Sequence, residues 1–366
     1  MRYDQSFRDS RYLSTLLQAI RQKSRSPIRI MEVCGGQTHA LSQYRIEELL
    51  PPTVQMIHGP GCPVCVTPEE TLSEAIAIAR TPGTILCTFG DMMRVPGNNE
   101  TLQQIKAEGA DIRIVYSPLD SLHTAVENRD KQVVFLAVGF ETTAPLYTLL
   151  LHEITARHID NLSLLTSLFT IPAAISFLAQ EPDCGIDGLL AAGHVCSISG
   201  LQEYERLSEE LQIPIAVTGF EPADLLFGIY RVIEEKEQGN CRVVNAYRRA
   251  VPHEGNPMAR QETARFFVPC ESNWRGLGII PNSGLKLRPQ YEQYDARKRF
   301  ACNPKSQAQP SVCRVGDIMK GKISPCECPL FGNRCTPDNP LGASMVSSEG
   351  ACAAFFRYRT PLKSPI

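Results

Sequence analysis

The sequence predicts an α/β protein with two related parallel-sheet α/β domains and a smaller cysteine-rich domain. Three observations favour this fold. Short apolar runs alternate with helical stretches from residue 28 to about residue 244, as βαβ units do. A four-residue motif recurs 80 residues apart within this region. Beyond it the alternation fades, and proline, glycine, arginine and aromatic residues become frequent.

The elements can be assigned in chain order. Residues 5–26 predict a polar helix, because four apolar side chains fall on one stripe, namely Leu13, Leu16, Leu17 and Ile20. Helical periodicity also marks 69–80 and 202–211. Eight short apolar runs predict buried strands at 28–33, 54–57, 84–88, 112–116, 133–138, 162–170, 188–192 and 213–218.

The recurring motif is Val138-Gly-Phe-Glu141 and Thr218-Gly-Phe-Glu221, and each copy closes an apolar run. This favours a duplicated α/β unit; chance recurrence of four residues is the alternative. We therefore expect four segments. These are an N-terminal helix (1–27) packed on the C-terminal domain, a first α/β domain with a thiol site (28–140), a second α/β domain (141–244) and a cysteine-rich domain (245–366).

Bulk properties limit the function classes. The 366 residues carry a net charge of −2 without a basic stripe, so nucleic acid is not an expected partner. No apolar run reaches 18 residues and the N-terminus lacks a signal-peptide core, so neither a membrane span nor export is expected. Fourteen cysteines in a cytoplasmic protein indicate metal and redox chemistry rather than structural disulfides.

Four cysteines near the C-terminus have the spacing of a metal centre. Cys313, Cys328, Cys335 and Cys352 are separated by 14, 6 and 16 residues, with prolines and glycines between them. Four thiolates in such a loop-rich segment suit a [4Fe–4S] cluster, which would also help to fold it. A Cys₄ zinc site accepts the same ligands and is the alternative.

A second group of cysteines lies near the N-terminus. Cys34 follows an apolar run and begins Cys-Gly-Gly-Gln-Thr-His39, while Cys62 and Cys65 form a Cys-Pro-x-Cys motif. The second spacing suits a reversible disulfide, and the flanking prolines and glycines predict a surface loop. Zinc ligation or inert core thiols are the alternatives.

Several blocks together resemble the HypD family of [NiFe] hydrogenase maturation factors. They are Met-Glu-Val-Cys-Gly-Gly (31–36), Gly-Pro-Gly-Cys-Pro-Val-Cys-Val-Thr-Pro (59–68), Thr-Phe-Gly-Asp-Met-Met-Arg-Val-Pro-Gly (88–97), Gly-Phe-Glu-Thr-Thr-Ala-Pro (139–145) and the region around 328–352. The resemblance covers about 28–358. Three positions depart from some relatives: Gln37 replaces a histidine, Val315 a cysteine and Cys326 a histidine.

The resemblance implies a scaffold with redox capacity rather than a turnover enzyme. HypD-like proteins act with a small partner, HypC, to hold iron while it acquires two cyanides and one carbon monoxide, and HypE delivers the cyanide. Cys34 would then be the main iron ligand, and Cys62 and Cys65 would supply redox equivalents or further iron contacts. The Cys328–Cys352 block would hold the cluster, with Cys328 rather than Cys326 as ligand. We expect a monomer in the absence of these partners. A thiol–disulfide oxidoreductase using Cys62 and Cys65 is the competing function.

Ligands of open α/β sheets gather at the carboxyl ends of the strands. Cys34, the loop before Cys62, Gly90-Asp91, Glu141 and Gly193-His194 all follow apolar runs, so we expect them to converge on one cleft. A helix N-terminus there would favour a thiolate at Cys34.

The roles of the other polar residues of these blocks stay open. His39 is expected to support the site rather than to ligate. The 141–143 segment is either a helix cap or a cradle for a polar ligand. Asp91 and Arg94 form either a loop ion pair or a contact for a partner.

Overall fold

The apolar runs form the strands of two separate parallel sheets. A computed structural model describes residues 7–97, 100–181, 184–301 and 312–359. The first sheet has the order β2-β1-β7-β8-β9 and the second β4-β3-β5-β6. In chain order the strands are β1 (Ile28–Glu32), β2 (Val54–His58), β3 (Thr84–Thr88), β4 (Ile112–Ile114), β5 (Gln132–Gly139), β6 (Leu162–Leu168), β7 (Gly188–Ala192), β8 (Ile215–Thr218) and β9 (Val243–Asn245).

All eight predicted strands are confirmed, with ends that move by at most two residues. Most of them are almost wholly buried where helices cover both faces, and this produces continuous apolar runs rather than alternation. The edge strand β4 is the exception, because its Ile114 is exposed. The apolar pattern does not predict β9, because this strand has only three residues and is half-buried at the edge of its sheet.

Helices connect and cover the strands. The predicted N-terminal helix is present as α1 (Ser10–Lys23), which Asp9 caps. The others are α2 (Gly35–Gln43), α3 (Ile46–Leu49), α4 (Pro63–Val66), α5 (Glu69–Ala79), α6 (Leu102–Ala107), α7 (Pro118–Glu127), α8 (Ala144–Ala156), α9 (Ile171–Ala179), α10 (Gly193–Ser199), α11 (Gln202–Leu211), α12 (Pro222–Glu237), α13 (Pro257–Phe266), α14 (Ala296–Arg299), α15 (Val315–Met319) and α16 (Ala351–Arg359).

The two sheets do not follow the expected domain boundaries. Strands of the first sheet come from 28–58 and from 188–245, on both sides of those of the second sheet. Helix α9 begins after β6 of the second sheet but packs against the first. A boundary at residue 140 therefore does not separate the sheets, since an apolar strand pattern specifies burial but not the pairing partner.

The N-terminal helix also lies elsewhere than expected. Helix α1 packs against α12 and buries Leu16 and Ile20 beside β1 and β2 of the first sheet. It is α16, near the other end of the chain, that packs against α2. The prediction that α1 packs on the C-terminal domain is therefore wrong for the described residues. A stripe of four apolar side chains identifies a buried face without saying what covers it.

After β9 the chain forms an antiparallel hairpin of β10 (Phe267–Trp274) and β11 (Gly278–Leu287). Trp274 is fully buried, stacks on Phe140 and donates to the Ser283 hydroxyl at 2.7 Å. Most of 312–350 consists of turns and short helices, as the cysteine-rich composition predicts. No helix in the described ranges is long and apolar enough to cross a membrane.

Candidate metal and redox site

Cys34 lies at the junction of β1 and α2, where it occupies the N-cap position. The loop before Cys62 lies directly on it. A Cβ added to Gly61 would stand 2.2 Å from the Cys34 backbone nitrogen, and the Gly61 carbonyl accepts a hydrogen bond from Gly35 at 2.9 Å. Only glycine allows this approach, which brings the two N-terminal cysteine motifs together.

The Cys34 side chain is buried at the carboxyl ends of three neighbouring strands. The Sγ atom lies 3.9 Å from Nδ1 of His194, which begins α10 after β7. Phe220, which follows β8, packs on the same cluster. The expected convergence is therefore confirmed for Cys34, the Cys62 loop and Gly193-His194, but it is wrong for Glu141, which lies beside the start of α9.

Burial changes the expected charge of Cys34. Loss of water raises the pKa of its thiol to about 12, and the Glu32 carboxylate adds to this rise. The backbone N–H groups of Gln37 and Gly36 lower the pKa, as a helix N-terminus should, but by less. Burial therefore outweighs the helix N-terminus and favours the neutral thiol when no metal is bound. Burial also lowers the pKa of His194, which favours the neutral imidazole that binds metals.

A fully buried glutamate holds the Cys34 loop in place. Oε2 of Glu32 accepts the Cys34 backbone N–H at 3.0 Å, and Oε1 accepts the Thr38 hydroxyl at 2.5 Å. His58, at the end of β2, places Nδ1 at 2.8 Å from the same Oε1. Glu32 therefore joins the ends of β1 and β2 to the first turn of α2.

His58 continues this network to the C-terminal region. Its Nε2 lies 3.2 Å from Glu47, which pairs with Arg359 of α16 at 2.5 Å. Burial by itself lowers the pKa of His58, but Glu47 and Glu32 outweigh it and raise the pKa to about 9. The imidazole is therefore cationic at neutral pH and is shared by the buried Glu32 and the partly buried Glu47.

Cys62 and Cys65 form a disulfide across the first turn of α4, with Cα atoms 5.2 Å apart. The predicted pairing is thus present, but the predicted surface loop is wrong because both residues are only 4% exposed. One covering residue is Ala343, whose carbonyl lies 4.0 Å from Cys65 Sγ. The C-terminal region therefore shields the Cys62–Cys65 motif from solvent, although the prolines and glycines that flank this motif predict an exposed loop.

Three of the four C-terminal cysteines contact one short segment, 341–344. The Leu341 N–H points at Cys335 Sγ at 3.4 Å, and a Cβ on Gly342 would stand 2.3 Å from Cys313 Sγ. The Ser344 hydroxyl accepts the Cys352 N–H at 3.2 Å. Burial raises the pKa of the Cys352 thiol. The charges of the nearby Cys313, Cys335 and Cys328 raise this pKa further.

This donor set fits a [4Fe–4S] cluster. Four cysteines converge, two of them are buried, and a backbone N–H already points at one sulfur, as it does around cluster sulfurs. Within the described ranges, no three His, Cys, Asp or Glu side chains are gathered closely enough to hold a single metal ion.

Cys326 faces away from this group. It is exposed, and the charges that act on its thiol are those of Arg359, Glu327 and Glu47. The charge of Cys328, by contrast, contributes to the raised pKa of both Cys313 and Cys352. The geometry therefore favours Cys328, although its role as a ligand stays a prediction.

His39 uses both ring nitrogens to hold the C-terminal region. Nδ1 lies 3.2 Å from the Ser348 carbonyl and Nε2 lies 3.0 Å from the Tyr358 hydroxyl. Arg94 has a similar position, because its guanidinium donates to the carbonyls of Val346 and Pro337 rather than to Asp91. Both residues connect motif blocks to the cysteine-rich region.

Glu141 does not cap α8, the helix that follows it; its Oε1 instead accepts the N–H of Ile171, the first residue of α9, at 2.8 Å. Phe140 points the other way, onto Phe169 and Trp274. Glu141 therefore lies at the end of the second sheet and lines a cavity whose other residues differ from those around Cys34.

Sequence reasoning missed the residues that support Cys34 through hydrogen bonds and ion pairs, namely Glu32, His58 and Glu47. The sequence does contain a signal for these contacts. Glu32 lies in one apolar strand and His58 at the end of the next, and each is costly to bury without a partner, so the two are expected to pair. Gln37, the departure from some relatives, is also buried, and its Nε2 donates to the Thr218 hydroxyl at 2.7 Å.

Comparisons with known proteins agree with these motifs. The family model "HypD: Hydrogenase formation hypA family" matches residues 11–359. The chain is 43% identical to the hydrogenase maturation factor HypD of Escherichia coli strain K12, over 98% of both chains. The chain belongs to the HypD family. HypD of Rhizobium leguminosarum bv. viciae is 44% identical, covering 98% of this chain and 96% of the relative. HypD of Azotobacter vinelandii is 42% identical, covering 98% and 97%.

Family membership places the site within a hydrogenase maturation factor. The cysteines singled out in this chain all lie inside the range matched by the family model. They form two adjoining centres, one around Cys34 and one around 341–344, with the Cys62–Cys65 disulfide between them.

Proposed function

We propose that this HypD-family chain is the scaffold on which the Fe(CN)₂CO group of [NiFe] hydrogenases is assembled. With a HypC-like small protein it holds the iron, and a HypE-like protein delivers the cyanide. The observation that carries the proposal is the buried Cys34 thiol beside His194, at the ends of β1 and β7. The iron is cargo here, since it leaves with the ligands attached.

Cys34 and the residues around it would supply the iron with a soft ligand, a fixed loop and an apolar surrounding. A thiolate is a soft ligand, suited to iron that carries carbon ligands. Binding would displace the proton that burial holds on Cys34, so capture of iron releases a proton. Glu32 fixes the loop, and Phe220 with Ala192 gives the thiol an apolar, water-poor surrounding.

The second centre would supply electrons. The [4Fe–4S] cluster, when bound to Cys313, Cys328, Cys335 and Cys352, transfers single electrons. Ala343, next to the residues that contact Cys313 and Cys335, approaches the disulfide sulfur of Cys65. Two electrons and two protons would open the disulfide to two thiols, which are then free to reduce or to contact the iron. We expect the chain to act in the cytoplasm, as a monomer until its partners bind.

Replacement of Cys34 by alanine tests the proposal. The variant should fold and keep its cluster, because removing one buried sulfur costs about 1–2 kcal/mol. It should lose the cyanide and carbonyl infrared bands of protein purified with its partner, and should not mature a [NiFe] hydrogenase in cells lacking the native factor. Cys87→Ala, at a buried thiol of β3, is the matched control and should keep both. Full maturation by Cys34→Ala would refute the scaffold role.

A second candidate function is that of an iron–sulfur thiol–disulfide oxidoreductase. The Cys62–Cys65 disulfide and its proximity to the cluster cysteines favour it. This function predicts turnover on a protein or small-molecule disulfide that depends on Cys62 and Cys65 but not on Cys34. Steady-state disulfide reduction by the Cys34→Ala protein, without infrared bands in the wild type, would decide for it.

A further inference from the structure

A cavity of about 530 Å³ lies apart from the Cys34 site. It opens between the first turn of α9, helices α11 and α13 and the β10–β11 hairpin, and these elements form its wall. This volume falls in the range of ordinary small-molecule sites. The maturation chemistry proposed above makes no use of it.

Three arginines line this cavity: Arg206 of α11, Arg260 of α13 and Arg288 after β11. Arg260 donates to the Glu254 carbonyl at 3.2 Å and Arg288 to the Ala264 carbonyl at 2.7 Å. Each bond occupies one of five N–H donors of the guanidinium group. Arg206 has no side-chain hydrogen bond or ion pair within the described part of the chain.

The partly buried Glu141 contributes a carboxyl group to the lining of the cavity. Glu141 uses Oε1 to accept the Ile171 N–H, while Oε2 is shielded from water and accepts no hydrogen bond from any described residue. Leaving such an atom without a donor costs about 1–3 kcal/mol, so it is a feature that a ligand can relieve. Glu203 is the acidic group beside it at the rim.

We propose that this cavity binds a small organic anion. Its phosphate or carboxylate group contacts the guanidinium groups of Arg206, Arg260 and Arg288, which suit oxyanions in charge and geometry. Its other end carries an N–H or O–H group that donates to Oε2 of Glu141. The cavity has the size of a small organic molecule rather than of a macromolecule.

Electrostatics support this orientation. Three arginines face Glu203 and Glu141, so the lining carries a net positive charge even with both carboxylates ionised. Burial raises the pKa of Glu141 to about 7, and the Glu203 charge adds to the rise. Part of the Glu141 population is therefore neutral at physiological pH, which reduces its repulsion of an anion.

Two three-carbon probes test the proposal by titration calorimetry on the full chain, at constant ionic strength. Glycerol 3-phosphate and glycerate both carry hydroxyl donors but differ in the anionic group. We expect at least one to bind saturably at one per chain, and the tighter one identifies the anionic group. Arg206→Gln should weaken this binding by at least about tenfold, while Arg11→Gln, at an exposed arginine of α1, should leave it unchanged.

A further probe isolates the Glu141 contact. Methyl phosphate lacks the hydroxyl groups and should bind at least about fivefold more weakly than glycerol 3-phosphate. Equal affinity would remove Glu141 from the proposal. Absence of saturable binding by either three-carbon probe, or unchanged binding by Arg206→Gln, would overturn the site. The Cys34→Ala protein should bind the probes like the wild type, so the outcome is independent of the maturation role.

Discussion

At the scale of single residues, burial rather than sequence neighbourhood sets the chemistry of this chain. Cys34 occupies the N-cap of α2, yet desolvation raises the pKa of its thiol to about 12. Glu141 begins a similar strand–helix connection, and its pKa is raised to about 7 for the same reason. In both cases the charged form loses more from missing water than it gains from nearby N–H groups.

The raised pKa of Glu141 predicts a pH-dependent stability. The folded state favours the neutral carboxyl, so ionisation destabilises the fold as pH rises from about 4.5, the unfolded value, through about 7. The loss is at most about 3 kcal/mol. Glu141→Gln, which stays neutral, should be the more stable protein at pH 8, and its free energy of unfolding should change less between pH 5 and 8. Denaturant unfolding at several pH values measures this. Equal pH profiles for variant and wild type would contradict the buried carboxyl.

At the scale of elements, helix α16 is attached to the Cys34 loop through charged and polar side chains. Arg359 pairs with Glu47, which pairs with His58, which bonds Glu32, and Glu32 accepts the Cys34 N–H. Since α16 also carries Cys352, the cluster region and the Cys34 loop share one buried network.

His58 is the central member of that network, so His58→Gln should be strongly destabilising, by about 3–5 kcal/mol, because Glu32 and Glu47 lose their shared cation. The pKa of His58 is raised, so its stabilising contribution is complete below pH 6.5 and is lost as pH rises through about 9. Thermal unfolding from pH 6 to pH 10 should show this loss in the wild type and not in the variant.

His253→Gln is the matched control, because that imidazole pairs with two glutamates on the surface. It should change stability by no more than about 1 kcal/mol. A His58→Gln protein that is as stable as this control would contradict the network.

The α4 turn carries the second prediction at this scale. The Cys62–Cys65 disulfide closes a very short loop, so we expect it to form under mild oxidation and to open with common thiol reductants. Differential alkylation with mass spectrometry should find both cysteines labelled only after reduction. Cys184 and Cys196 are buried thiols outside the motif and serve as the control, with little labelling in either state. Cys62 and Cys65 that stay free under oxidant would contradict the redox role.

At the scale of the whole molecule, the cysteine-rich region holds the two halves of the site together. Segment 341–344 contacts the C-terminal cysteines and the disulfide, while His39 and Arg94 attach neighbouring segments to the two sheets. Because 312–350 consists mostly of turns, we expect the cluster to stabilise it.

Anaerobically purified protein should therefore be brown and contain one [4Fe–4S] cluster. Cys328→Ser, Cys335→Ala and Cys352→Ala should lose the visible absorption and increase amide hydrogen exchange in 312–359. Cys326→Ser is the control and should keep the cluster, since its thiol lies towards Arg359 and Glu47. One zinc and no sulfide on metal analysis would refute the cluster, and loss of absorption in Cys326→Ser alone would reverse the ligand assignment.

The sequence alone determined the local features of this protein. Fully buried strands produce apolar runs that local composition reveals, and the motif blocks around Cys34, Cys62 and Cys328 identified the family. The convergence of Cys34 with Gly193-His194 was predictable too, because the carboxyl ends of parallel strands meet at one edge of a sheet.

Only the tertiary structure decided which strands share a sheet, what covers α1 and the disulfide, and how burial sets the pKa of Cys34. It also revealed the Glu32–His58–Glu47 network and the arginine-lined cavity. The physical reason is common to all of these. Strand pairing, desolvation and ion pairing depend on residues far apart in the chain, such as Glu47 and Arg359, and no local pattern records which partners meet.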